Sequence, residues 1–142
     1  ADTRVRPIIP ADFESYFAAS VAMYTEEVGA DPLVGGDGSY RAYCRWLVDA
    51  GRAFGIVQDG RVVFKSDIGA CSGPVAQIQG VWLDPSLRGR GLSEAAVAGV
   101  TEYVLAEYPT ACLYVNDFNT RAIRCYERVG FDQVGEFATI LF

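Results

Sequence analysis

The chain contains no histidine in 142 residues. That absence removes Ser-His-Asp and Cys-His chemistry and every imidazole acid or base. Proton transfer must therefore run through carboxylate, tyrosine, cysteine, lysine, water or the substrate itself. Cysteines are few and far apart (Cys44, Cys71, Cys112 and Cys125), with no Cys-x-x-Cys pair. Without imidazole and without ligand spacing no metal is expected, and the thiols read as reduced, mostly buried groups of a cytoplasmic protein. Long apolar runs are missing: none approaches the roughly 20 residues of a membrane span, so no membrane partner is expected. The N-terminus lacks the basic-then-apolar pattern of a signal peptide. It also lacks methionine, which suits a piece cut from a longer protein. Positive charge is scarce, with 12 Lys+Arg against 18 Asp+Glu and a net charge of -6, the wrong sign for a general nucleic-acid binder. Any anion site must be local.

What is present reads as one ordinary globular domain spanning residues 1–142, with 51% hydrophobic and 21% charged residues. Val5 to Ile8 is a short strand. Pro10 opens a helix in which Phe13, Phe17, Val21, Tyr24 and Val28 recur at helical spacing until Gly29. Ala30 to Gly38 is a Gly/Asp/Pro loop. A second helix, capped by Asp37 or Ser39 and stopped by Gly51, turns Tyr40, Tyr43, Cys44, Leu47 and Val48 inward. Ala53 to Val57 and Val62 to Ala70 flank Asp59-Gly60, a hairpin turn, and Cys71 to Pro74 turns the chain into a strand from Val75 to Leu83. A helix from Leu92 to Glu107 buries Leu92, Ala96, Val100 and Val104. Ala111 to Val115 is a strand, and Asn116 to Asn119 leads into a helix over Thr120 to Val129, capped by Asn119 and closed by Gly130. The tail from Phe131 to Phe142 reads as two strands around Gly135. This order gives an α/β (α+β) fold around one sheet.

The segment after Leu83 has an anion-binding character. A strand, a loop with glycines at 89 and 91 and an immediate helix start place unpaired N–H groups and the positive end of a helix dipole together. Ser93 adds a hydroxyl, and Arg88 and Arg90 supply charge in an acidic protein. No Gly-Lys-Ser/Thr follows, so this is not a Walker loop, and the glycines are too close for a dinucleotide fingerprint.

The whole stretch Val81-Trp82-Leu83-Asp84-Pro85-Ser86-Leu87-Arg88-Gly89-Arg90-Gly91-Leu92-Ser93 resembles the signature of the GNAT superfamily of N-acetyltransferases, Arg/Gln-x-x-Gly-x-Gly/Ala after an apolar strand. Serine stands in the last of the three defining places. Leu113-Tyr114-Val115 with Asn119, Ala122, Tyr126 and Gly130-Phe131 resembles the family's second block, Asn-x-x-Ala-x-x-x-Tyr-x-x-x-Gly-Phe. The stretches Val63 to Ala70 and Gln79 to Trp82 also look like the C-terminal half of a bacterial two-domain GNAT group.

The resemblance implies a mixed, mostly antiparallel sheet of about six to seven strands, two of them parallel and splayed in a V, flanked by about four helices. It implies acetyl transfer from acetyl-CoA to a primary amine, by direct attack through a tetrahedral intermediate, without a metal. Backbone groups of Val81, Trp82 and Leu83 would bind the pantetheine arm and polarise the thioester. Those of Arg88, Gly89, Arg90, Gly91, Leu92 and Ser93 would take the pyrophosphate, and Asn119 would contact the arm or simply cap its helix. Tyr126 matches the tyrosine that protonates the departing thiolate. Cys125 is expected to point away from that helix face.

The base is less defined. Where relatives carry glutamate this chain has Gln79 or Tyr114, and neither is a carboxylate. Glu26, Glu27 and Asp67 are candidate substitutes, although a solvated helix end is the favoured reading for the glutamates. Asp67 can pair with Lys65, two residues away on one strand face. Asp84 more naturally shapes the loop, and a water relay stays open beside them all. The acceptor, a small-molecule or peptide amine, should meet the first two helices and the 30–38 loop, where Tyr16, Tyr24, Tyr40, Tyr43 and Trp46 gather. An acyl-CoA sensor with little catalysis is the alternative, and a homodimer or an N-terminal partner domain could complete the site.

Overall fold

The computed structural model describes residues 1–115, 119–133 and 139–141. Strand β1 (Arg6–Pro7) and a single 3-10 turn at Pro10–Asp12 lead into helix α1 (Phe13–Val28), which ends at Gly29 with φ of 75°. Helix α2 (Gly38–Asp49) follows, then strands β2 (Ala53–Gln58), β3 (Arg61–Ser72) and β4 (Val75–Leu83). Helix α3 (Leu92–Glu107), strand β5 (Thr110–Tyr114), helix α4 (Thr120–Val129) and strands β6 (Asp132–Gln133) and β7 (Thr139–Leu141) complete the described chain. The helices predicted at 92–107 and 120–129 have their predicted bounds. The first strand is shorter than predicted, and β3 runs two residues further, so that the turn into β4 is only Gly73-Pro74. Gly135, expected between the last two strands, and Asn116 to Phe118, expected before α4, lie outside the described residues.

Among the described residues the strands form one mixed sheet in the order β1-β2-β3-β4-β5-β7-β6, and two of them are only two residues long. Every neighbouring pair is antiparallel except β4 and β5, as expected from the family resemblance. The Asp59-Gly60 turn has both residues at positive φ (51° and 75°), the geometry whose twist matches a two-residue hairpin. Helices cover both faces. On one, Phe54, Phe64, Ile78, Val97 and Val100 form a core under α3; on the other, Phe13, Tyr16, Phe17, Leu47 and Trp82 pack beneath α1 and α2. Tyr43, predicted inward, lies on the shoulder of the α2 stripe and stacks on exposed Trp46 instead. Among the described residues no helix is long and apolar enough to cross a membrane.

One irregularity positions the site. Lys65 pairs with Trp82 and Asp67 with Gln79, so β4 carries an extra residue at Gly80-Val81. An inserted residue moves the following side chains to the opposite faces. Accordingly Ala76 and Ile78 face the α3 core, whereas beyond the bulge Leu83 does so and Trp82 turns to the α1 side. Gly80 has φ of 60°, and a Cβ there would lie 2.6 Å from Lys65 Nζ and 2.8 Å from Asp67 Oδ2. Only glycine fits.

Beneath that bulge sits a buried polar cluster. Lys65 Nζ donates to Asp67 Oδ2 at 2.6 Å, and the Tyr16 hydroxyl donates to Asp67 Oδ1 at 2.5 Å. Both charges are almost wholly excluded from solvent, at 1% and 4% side-chain exposure. Removing one member of such a pair leaves an uncompensated buried charge. Lys65→Met should therefore destabilise the protein by about 3 kcal/mol, measured as the shift in urea midpoint. Lys65→Met combined with Asp67→Leu should recover much of that loss, and equal stability of wild type and single variant would contradict this reading of the cluster.

Candidate active site

The loop after β4 is shaped by Asp84, whose Oδ1 accepts from Ser86 N at 2.9 Å and Ser86 Oγ at 2.7 Å and whose Oδ2 accepts from Arg61. Asp84 is thus committed to the turn, as its position before Pro85 suggested. The backbone then reaches α3 through Gly89 and Gly91, with φ of 81° and 73°. Gly91 is the N-cap residue and provides no side chain, so the first α3 amides stay directed at the space above them. The helix behind them has 16 residues, long enough for a developed dipole.

The parallel seam opens at the same place. Pairing of β4 with β5 runs from Val75↔Thr110 to Ile78↔Leu113 and then stops, although β4 continues to Leu83. Beyond Ile78 the β4 edge that faced β5 has no strand partner among the described residues. A cavity of about 410 Å³ fills the opening. Val81, Trp82, Leu83, Arg88, Gly89, Gly91, Leu92, Ser93, Asn119 and Tyr126 all line it, drawn from two segments far apart in sequence. Arg90 alone of the predicted binding residues is absent from its walls.

Electrostatically the cavity differs from expectation in an informative way. Arg88 does not present a free guanidinium: its Nε donates to Leu83 O at 2.9 Å and its Nη2 to both oxygens of Glu26 at 2.9 and 3.1 Å. Those groups are nearly half exposed, so the ion pair itself adds little stability. Its effect is to hold the loop against the end of α1. Arg128 is likewise paired, with Glu94 in the first turn of α3. Arg121, in the first turn of α4, lines the cavity without an ion-pair partner among the described residues, and nothing in the sequence motif pointed to it. Among the described residues, the cationic side chain on the cavity wall that is free of an ion pair is thus Arg121 and not Arg88, and Arg90 does not line the cavity.

On α4, Asn119 caps the helix, its Oδ1 accepting from Ala122 N at 3.2 Å, while also lining the cavity. Tyr126 packs edge-on to Phe131, and its hydroxyl has no hydrogen-bond partner among the described residues. Burial pushes its phenol up to about 12, with smaller contributions from Cys125 and from the charge of Glu27. Cys125 does not point away as expected. It lines the same cavity, because residues 122, 125 and 126 share one stripe at three- and four-residue spacing. Its thiol is raised by burial, which keeps it protonated and unreactive.

From the opposite wall come Met23, Glu26 and Glu27 of α1. None of the five aromatics expected at the acceptor lines this cavity. Tyr16 is in the core on Asp67, Tyr24 and Tyr40 pack edge-on to each other, and Tyr43 stacks on Trp46. Gln79 lies across Gly69, where a Cβ would clash with its amide, and its Nε2 donates to the Tyr43 hydroxyl at 2.9 Å. Tyr114 is exposed on β5.

A strand–loop–helix turn beside an opened parallel seam in a mixed α/β sheet is the architecture that comparison with known proteins matches. The sequence model of the acetyltransferase (GNAT) family matches residues 20–131, and the chain belongs to that family. It is 39% identical over 79 residues to a mycothiol acetyltransferase of Acidimicrobium ferrooxidans, covering 52% of this chain and 26% of that protein. A mycothiol acetyltransferase of Nocardiopsis dassonvillei is 28% identical over 138 residues, covering 90% of this chain and 42% of the relative. The chain thus spans less than half the length of these curated relatives. The PaiA N-acetyltransferase of Thermoplasma acidophilum, solved in complex with coenzyme A, shares the fold with a TM-score of 0.69 at 11% identity, over 96% of this chain and 95% of that one.

The raised phenol has a direct readout. From pH about 9 to 11, where an ordinary tyrosine near 10 ionises, the tyrosinate absorbance curves of wild type and Tyr126→Phe should superimpose. A difference curve with its midpoint near that ordinary value would show Tyr126 to be solvated.

Proposed function

We propose that residues 1–142 act as a single N-acetyltransferase domain that moves the acetyl group of acetyl-CoA to a primary amine. The observation that carries this reading is the convergence of the 81–93 and 119–126 segments on one cavity where the parallel seam opens. The cavity chemistry fits the co-substrate: a diphosphate suits the amides of Gly89, Gly91, Leu92 and Ser93 with Arg121 beside them. The β4 edge at Val81 to Leu83, which has no strand partner on the β5 side among the described residues, suits the amides of a pantetheine arm, which would lie along it as an added strand. Acetyl-CoA supplies an activated thioester carbonyl.

In this reading the amine attacks that carbonyl directly. The tetrahedral intermediate is held by main-chain N–H of β4, and Tyr126 donates its proton to the leaving sulfur. A phenol pushed up to about 12 stays protonated at neutral pH and so carries the proton this role needs. The net charge of -6 favours a small, cationic amine as acceptor. The mycothiol acetyltransferase relatives make a small-molecule acceptor the first class to test. Four free thiols suit a reducing cytoplasm.

Two variants test the assignment. Tyr126→Phe should lower kcat about 100-fold with CoA affinity little changed, by thiol-release kinetics and calorimetry. Gly91→Asp places a Cβ at φ of 73° and a carboxylate in the anion cradle, and should weaken CoA binding more than tenfold, about 1.4 kcal/mol. Unchanged CoA affinity in Gly91→Asp would overturn the cofactor site, and CoA binding without thiol release on any amine would favour a sensor.

A further inference from the structure

A transferase of this kind receives its amine as ammonium, and no histidine is present to accept the proton. Most of the nearby carboxylates are already engaged. Asp67 is buried between Lys65 and Tyr16; Asp84 holds Ser86 and Arg61; Glu26 chelates Arg88; Glu94 pairs with Arg128. Gln79, at the position where relatives carry glutamate, is an amide bonded to Tyr43. Glu27 remains. It stands in the last turn of α1, lines the cavity across from α4, and has neither hydrogen bond nor ion pair among the described residues.

Resting on the acetyl-transfer reading, we propose that Glu27 is the general base of this site, taking a proton from the acceptor's ammonium group before the amine attacks. The amine nitrogen then forms the C–N bond, giving the tetrahedral intermediate, and the C–S bond breaks as that intermediate collapses. The nitrogen's second proton goes to Tyr126 as Tyr126 protonates the departing sulfur, and Glu27 returns the first proton to solvent. All protons are thereby accounted for: acetyl-CoA and R–NH₃⁺ give the amide, the thiol and one H⁺.

The surroundings suit the task. Burial raises the Glu27 carboxyl, Glu26 raises it further, and Lys65 on β3 pulls it down. Arg88 of the loop, Glu94 of α3 and Arg121, Cys125, Tyr126 and Arg128 of α4 are the other titratable groups on the cavity walls. A base above the ordinary carboxylate range is better matched to neutral pH than a fully solvated one. Because the basic form is the working form, the rate should fall as pH drops through this raised value, giving an acid limb above the range of a free glutamate.

Glu27→Gln and Glu27→Asp test the assignment. Thiol release would be followed with acetyl-CoA and spermidine, glucosamine or an alanyl peptide, and CoA affinity by calorimetry. Glu27→Gln should lower kcat/KM for the amine about 100-fold near neutral pH, abolish the acid limb and leave CoA affinity unchanged, while Glu27→Asp restores part of both rate and limb. Wild-type rate and limb in Glu27→Gln, or a rate loss matched by a loss of CoA affinity, would overturn the role of Glu27 while leaving acetyl transfer standing. Wild type that binds CoA and releases no thiol with any of the three amines would contradict the transferase reading itself, and this one with it.

Discussion

Parallel pairing between β4 and β5 ends at Ile78 and Leu113, while β4 runs on to Leu83, and the cavity exists because of that early end. The bulge at Gly80-Val81 coincides with it. It redirects Val81, Trp82 and Leu83 and is seated on the buried Lys65–Asp67–Tyr16 cluster, which leaves room for glycine alone. Bulge, cluster and open seam are one device: a polar cluster in the α1-side core fixes where the main chain of β4 becomes available to a ligand. The same cluster consumes Asp67, which removes it from proton transfer.

Charge on the cavity walls is organised in the same economical manner. Glu26–Arg88 ties the end of α1 to the cradle loop, and Glu94–Arg128 ties the starts of α3 and the end of α4 together. What is left over among the described residues of the cavity walls is one carboxylate and one guanidinium without an ion pair, Glu27 and Arg121. Arg121 thus places a local positive charge within a chain of net charge -6.

Much of this was legible in the sequence, for physical reasons. Gly89 and Gly91 mark positive-φ positions, and the stripe Ala96–Val100–Val104 has helical period, so α3 and its cradle could be placed to the residue. Asn119 and Gly130 bracket α4 in the same way. Asp84 before Pro85 reads as a turn and is one. Long-range partners were not legible. Nothing local says that Arg88 meets Glu26, 62 positions away, or that Tyr16 reaches Asp67. A single glycine in a strand signals a bulge only loosely, so the flip of Trp82 toward α1 could not be foreseen. Glu27 reads as a solvated helix end and is exposed, but that it also lines the cavity depends on tertiary packing and not on its own turn.

The central claim is that the Gly89–Ser93 cradle and the freed edge of β4 form one binding surface for coenzyme A. Backbone amide resonances of an isotopically labelled sample, followed during titration with coenzyme A, test it most directly. The account predicts the largest shifts at Val81, Leu83, Gly89, Gly91, Leu92 and Ser93, saturating together with a single affinity. Shifts confined to other surfaces, or no saturable change at these amides, would contradict it.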